Sequence, residues 1–222
     1  MYVAVEGVIG VGKTTLARLL QPDFQSSLLL EVFEENPFLS NFYGDRARYA
    51  FQTQIFFLLS RYHQQRRSVP HTLEGGQNLI SDYTFQKDAL FARINLAGDE
   101  LEMYYRVHEA LGEKILRPDL VVYLRADTDI LMQRIATRDR SYERQMERSY
   151  IDRVNQAYEE FFATSHKDFP ILAIDTNNLN FLARSEDLKL IENRIRQALR
   201  LPPFQAELPL WPDNEMEKTL SR

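Results

Sequence analysis

The sequence predicts an α/β fold, a three-layer sandwich with a five-stranded parallel sheet between two layers of helices. Three observations predict it. Short apolar runs of strand length alternate with segments of helical periodicity. One of those runs, LVVYL at Leu120 to Leu124, is apolar without interruption, as a strand buried on both faces is. A glycine-rich loop joins the first strand to the first helix.

The elements follow in order. Tyr2 to Glu6 is a β-branched run, followed by the glycine loop and by TTLARLL at helical spacing. Leu28 to Phe33 is a second apolar run of strand length. From Asn41 to Arg67 the pattern turns helical, with Phe42, Ala50, Phe51, Ile55, Leu58 and Leu59 at three- and four-residue steps. Leu79, Ile80 and the residues before Asp82 form a third strand, and Glu100 to Leu116 a helix stopped by Pro118. After the fourth strand, Asp129 to Phe162 is helical with a break near Asp139 to Ser141. ILAI, Ile171 to Ile174, is the fifth strand, and Asp187 to Leu199 a closing helix. Residues 1–200 form one domain; residues 201–222 form a tail with Pro202, Pro203, Pro209 and Pro212, either irregular or packed on the domain through Phe204 and Trp211.

Composition narrows the function. With 44% hydrophobic and 27% charged residues the chain is globular. It has no cysteine, which excludes disulfides and thiolate metal sites, and its four histidines lack ligand spacing. Any metal is then a hard, oxygen-bound ion such as Mg²⁺. A net charge of −5 argues against a general nucleic-acid binder. The opening MYVAVEG has no basic region or cleavage site, and no apolar run reaches membrane-spanning length, so a cytoplasmic protein is expected.

The sharpest motif is the loop. Gly7, Val8, Ile9, Gly10, Val11, Gly12, Lys13 and Thr14 fit G-x-x-x-x-G-K-[ST] without a mismatch, and Thr15 follows. In such a phosphate loop (P-loop), backbone N–H groups turn inward around the β-phosphate. The lysine reaches the β/γ oxygens, the threonine hydroxyl reaches Mg²⁺, and the helix N-terminus favours the anion. The predicted donor is therefore a nucleoside triphosphate, with ATP expected.

In a doubly wound sheet, ligands collect at the C-terminal ends of the strands. Glu31 in LLLEVF and Asp82 in NLISD fall at such ends. Phosphoryl transfer needs one carboxylate near Mg²⁺, with Thr14, and one to accept the hydroxyl proton. Either acid suits the second task. From Arg134 to Arg153 there are six arginines and no lysine. Guanidinium binds phosphate oxygens bidentately and keeps its charge, so Arg134, Arg138 and Arg140 read as a lid over ATP. Arg134 and Arg138 are one helical turn apart.

These residues resemble the deoxynucleoside kinase family. EGVIGVGKTT resembles the family loop, and EVFEENPFLSNFYGD its E-P-V-x-x-N-P-x-L-x-x-F-Y-x-D segment with Val32 for the proline. RIATRDRSYE resembles its lid, and LAIDTN its last strand and adenine loop, which brings in Asp175. The resemblance implies that Glu31 holds the sugar 5′-hydroxyl and is its base, and that Tyr43 and Glu143 bind the 3′-hydroxyl. It further implies that Gln54, supported by Arg61, reads the base, that Phe91 stacks on it and that Ile9 lines the pocket. Asp82 takes the place of the strand-end acid that assists Mg²⁺ and is the alternative proton acceptor. By spacing alone, Tyr43 and Gln54 fit a half-buried helix equally well.

Two departures stand out. The family's acid-arginine-serine triplet is here Asp82-Tyr83-Thr84, so an arginine role near the phosphates is missing or supplied elsewhere. The segment to Phe91 is also one residue short, so either Asp88 or Lys87 takes the position of the base-reading aspartate. The resemblance implies a homodimer as well; Phe56, Phe57, Tyr104 and Tyr105 serve either that or the core. The rivals are a nucleoside monophosphate kinase such as a thymidylate kinase, whose phosphate acceptor calls for an extra cation, and a nucleotide-binding protein without turnover. Acids around the acceptor favour a hydroxyl acceptor, which needs a base.

Overall fold

Residues 1–164 and 169–202 are described in a computed structural model. They form β1 (Tyr2–Gly7), α1 (Lys13–Leu20), β2 (Ser26–Leu29), α2 (Leu39–Gly44), α3 (Arg46–Glu74), β3 (Asn78–Ser81), α4 (Lys87–Asn95) and α5 (Gly98–Gly112). There follow β4 (Leu120–Arg125), α6 (Thr128–Arg138), α7 (Arg148–Thr164), β5 (Ile171–Asp175) and α8 (Ser185–Ala198). The strands make one sheet in the order β2-β3-β1-β4-β5. Every pairing is parallel, as predicted. Every residue of β1 is buried, and so are the first five of β4, which places both strands in the interior between helices.

Three departures from the sequence reading have physical causes. β2 ends at Leu29, so Glu31 lies two residues beyond the strand. Past that point the backbone leaves the ladder for side chains: Leu30 O accepts from Gln64 Nε2 at 2.9 Å, and Glu31 N donates to Asp82 Oδ1 at 2.8 Å. α3 runs to Glu74 through Pro70, although proline removes a helical hydrogen bond. Val69, 1% exposed, anchors that turn in the core. Helix α4 was not predicted; its buried positions include Lys87 and Asp88, so no apolar stripe announces it.

The break after Arg138 is at Asp139, whose φ of 49° ends α6; a short 3₁₀ turn, Ser141–Glu143, precedes α7. Tyr104 is fully buried in the core while Tyr105 is exposed. Among the described residues no helix is long and apolar enough to cross a membrane. Phe204 and Trp211 of the tail lie outside the described residues.

Candidate active site

The loop after β1 owes its path to glycine. Gly7 has φ +145° and passes so close to β4 that an added Cβ would sit 2.4 Å from Leu124 O. No side chain fits there. Gly10 and Gly12 also have positive φ, at 88° and 105°. Val8 and Val11 are buried in the core, so they hold the loop down while their backbones remain in it. Lys13 folds back across it, donating to Gly7 O at 2.7 Å and Val8 O at 3.1 Å. Burial, and secondarily the charge of Lys87, lowers the Lys13 ammonium to about 8.

The ends of β1, β2 and β3 bring the predicted acids to this loop. Thr14 Oγ1 donates to Asp82 Oδ2, and the other Asp82 oxygen accepts from Glu31 N. One carboxylate thus ties the loop helix to the segment that carries Glu31. Glu31 itself lines the same cleft as Lys13, Thr14 and Asp82, with 17% of its side chain exposed. Its Oε1 accepts from Arg61 Nε at 2.9 Å and its Oε2 from Lys87 Nζ at 2.7 Å. Burial pushes the Glu31 carboxyl up, but Arg61 and Lys87 together outweigh it and hold it well below the usual carboxylate range.

The cleft is concave and lined by apolar and aromatic side chains among a few charged and polar ones, the make-up of a site for a small organic substrate. Ile9, Tyr43, Gln54, Arg61, Phe91 and Glu143 all line it. Gln54 is buried at 3% exposure, its amide available as donor and acceptor. Burial, then the nearby Tyr150 and Glu143, raises the Tyr43 phenol well above its usual value, so it stays a neutral donor. Phe91 meets Tyr158 edge-on at 6.2 Å. Lys87 is on the cleft wall; Asp88 is not. Asp88 is fully buried behind Arg61, with which it forms an ion pair.

The three arginines expected to form a lid, Arg134, Arg138 and Arg140, separate. Arg138 grips both oxygens of Glu143, with Nη2 at 2.6 Å and 2.7 Å. Arg140 lies over the Phe33 ring at 4.1 Å and 3.8 Å from Glu143 Oε1. Arg134 faces elsewhere. It donates to Thr176 O at 2.7 Å and Thr176 Oγ1 at 3.0 Å, and reaches Val11 O at 3.4 Å. It therefore binds the loop after β5 to the phosphate loop. With Gly10, Gly12, Thr15 and Arg138 it lines a second, more open cavity walled by Asn177 to Leu182. Asp175, expected at the nucleotide, does not line that cavity; it is exposed and accepts from Asn177 N at 2.8 Å, which shapes the turn.

Sequence reasoning missed two groups. Glu6, an acid within a buried strand, accepts from Gly7 N, Thr84 N, Thr84 Oγ1 and Tyr158 OH. Its signal was a charge inside an otherwise apolar run. Tyr83, the departure from the family triplet, is fully buried and donates to Gln64 Oε1. Gln64 in turn holds Leu30 O, so the phenol supports the backbone next to Glu31 instead of facing phosphate.

The chain matches the Deoxynucleoside kinase family over residues 3–200. It is 31% identical over 201 residues to a deoxyguanosine kinase of Bacillus subtilis (strain 168), covering 89% of this chain and 97% of that one. It is 30% identical over 179 residues to a deoxyadenosine kinase of Dictyostelium discoideum, covering 78% and 71%. Among solved structures, deoxyadenosine kinase from M. mycoides with bound dATP superposes with a TM-score of 0.78 at 28% identity, over 88% of this chain and 100% of that one. The same enzyme with dCMP and a flexible dCDP gives 0.77 at 27% identity, over 89% and 99%. Sequence and fold therefore agree along most of the chain's length, and it belongs to the deoxynucleoside kinase family: an ATP-dependent kinase that phosphorylates a deoxynucleoside at its 5′-hydroxyl.

Proposed function

We propose that Glu31 is the proton acceptor of this reaction and that the first cleft takes the deoxynucleoside while the second takes the nucleotide end of ATP. The observation that carries this is the meeting of Glu31, Lys13, Thr14 and Asp82 in one cleft beside the phosphate loop. Lys13 and the loop N–H groups hold the β/γ-phosphates, and Arg138 and Arg140 close over them. Tyr43 and Glu143 hold the 3′-hydroxyl, Gln54 and Arg61 read the base, and Phe91 covers its face. Asp88 acts by holding Arg61, and Arg134 and Asp175 act by shaping the loops around the nucleotide.

The donors present suit Mg²⁺. Thr14 Oγ1 and Asp82 Oδ2 are hard oxygens already in contact with each other. Among the described residues no three His, Cys, Asp or Glu side chains gather into a metal cluster, so phosphate oxygens and water would complete the shell. When bound, the ion supplies charge neutralisation on the triphosphate.

The names of the relatives favour a purine, deoxyguanosine or deoxyadenosine, as preferred acceptor. Labelled ATP with four deoxynucleosides and their monophosphates tests this. Purine deoxynucleosides should be converted fastest and the monophosphates not at all. Turnover of a monophosphate in preference would instead favour the nucleotide kinase reading.

Residues 1–200 are the catalytic domain in this reading and residues 201–222 an appended tail; the family match over 3–200 supports that boundary. The protein acts in the cytoplasm, without nucleic acid, as a homodimer. Exposed apolar side chains on α3 and α5, Leu59 (40%), Met103 (56%) and Tyr105 (37%), support the dimer. Light scattering should give twice the chain mass, and a monomer at micromolar concentration would reject it.

A further inference from the structure

Glu31 has no free oxygen. Arg61 occupies Oε1 and Lys87 occupies Oε2. A hydroxyl that comes to Glu31 must therefore share or displace a cation. The two cations are not held alike. Arg61 has a second acid, the fully buried Asp88, and is fixed between two carboxylates. Lys87 is ion-paired to Glu31 and to no second acid among the described residues; its ammonium also lies 5.7 Å from the Tyr83 ring. Lys87 is the cation free to leave.

Its destination follows from where it sits. The Lys87 side chain is 6% exposed and lines the cleft with Lys13 and Asp82, close enough to Lys13 to depress that ammonium. In the transfer, the hydroxyl oxygen bonds to the γ-phosphorus as the bond from phosphorus to the ADP oxygen breaks, and the hydroxyl proton passes to Glu31. The hydroxyl stands about 3 Å from both Glu31 and the phosphorus in a reactive complex. A cation 2.7 Å from Glu31 Oε2 is then one short side-chain movement from the equatorial phosphoryl oxygens. Two lysines would face the transferring group from opposite ends: Lys13 from the loop and Lys87 from α4.

We propose that Lys87 is a catalytic residue, the second lysine of the transfer site, which yields Glu31 to the acceptor hydroxyl and binds the transferred phosphoryl oxygens. This rests on the first cleft being the deoxynucleoside site with Glu31 as base. It assigns to α4 a charge that the Asp82-Tyr83-Thr84 segment does not carry.

Steady-state kinetics of Lys87→Met and Lys87→Arg, with calorimetry, test it. Lys87→Met should lower kcat by about 10²-fold, the scale of one lost transition-state donor. Binding of deoxynucleoside alone should be unchanged or tighter, because a competitor for Glu31 is gone. Affinity for the ADP–aluminium fluoride complex formed with deoxynucleoside should fall with kcat, and Lys87→Arg should recover part of both. Wild-type kcat in Lys87→Met would overturn the proposal. So would a loss confined to deoxynucleoside binding, which would leave the lysine only a support for Glu31. Should Lys87→Met not fold by thermal melting, Lys87→Gln carries the same comparison. A wild-type protein inactive on every deoxynucleoside would instead reject the underlying site assignment.

Discussion

Glu31→Gln is expected to lower kcat by about 10²- to 10⁴-fold, the range for loss of a positioned general base. The amide keeps the shape and can still accept from Arg61, so the substrate stays placed. What goes is the charge that receives the hydroxyl proton. The two cations on Glu31 make it a weak base in the empty site, so the proton must move late, after phosphorus–oxygen bond formation has acidified the hydroxyl. The sheet should survive the change, because Glu31 lies beyond the last residue of β2. Circular dichroism and a rapid-quench assay check both halves. Near-normal turnover in Glu31→Gln would move the base role to Asp82, which already touches the Glu31 backbone.

Lys13→Ala is expected to cost about 10³-fold in kcat/KM for ATP, with little effect on deoxynucleoside binding, because the lysine neutralises charge that develops on the phosphates. Lys13 also sets a pH dependence. Its ammonium in the empty enzyme is lowered to about 8, so it loses its proton as pH rises through that value. The triphosphate needs the charged form. Binding of ATP should therefore be level below about 8, weaken above it and take up a proton there. Calorimetry in two buffers of different ionisation enthalpy measures that uptake directly.

The fold was legible wherever local chemistry announces an element. The phosphate loop has a fixed spacing, and the interior strands are mostly apolar, with Glu6 the one charge buried in β1, so both were read from the sequence. Helix α4 was hidden because two of its buried positions are charged; Lys87 and Asp88 are buried against their partners Glu31 and Arg61, which no periodicity reveals. The end of β2 was misplaced for a related reason. Leu30 continues the apolar run, yet its carbonyl is taken by Gln64, a residue of α3. In the site, Lys13 followed from the spacing of the phosphate loop, and Glu31 and Asp82 from the rule that ligands gather at strand ends. Tyr43, Gln54 and Phe91 came only through the resemblance, since their side chains are those of any half-buried helix. The arginines were counted correctly but read as one group. Spacing by a helical turn did not foresee that Arg134 would fasten loops while Arg138 held Glu143.

The carboxylate of Glu6 beneath the phosphate loop carries a consequence for redesign. Four donors from β1, the segment after β3 and helix α7 depend on that one buried acid, so exchanging it would strand all four at once. The wall of the acceptor cleft has no such common anchor: Gln54 and Phe91 belong to separate helices, α3 and α4. Retuning which base the enzyme accepts is therefore work for the roof of the molecule, with its foundation left alone.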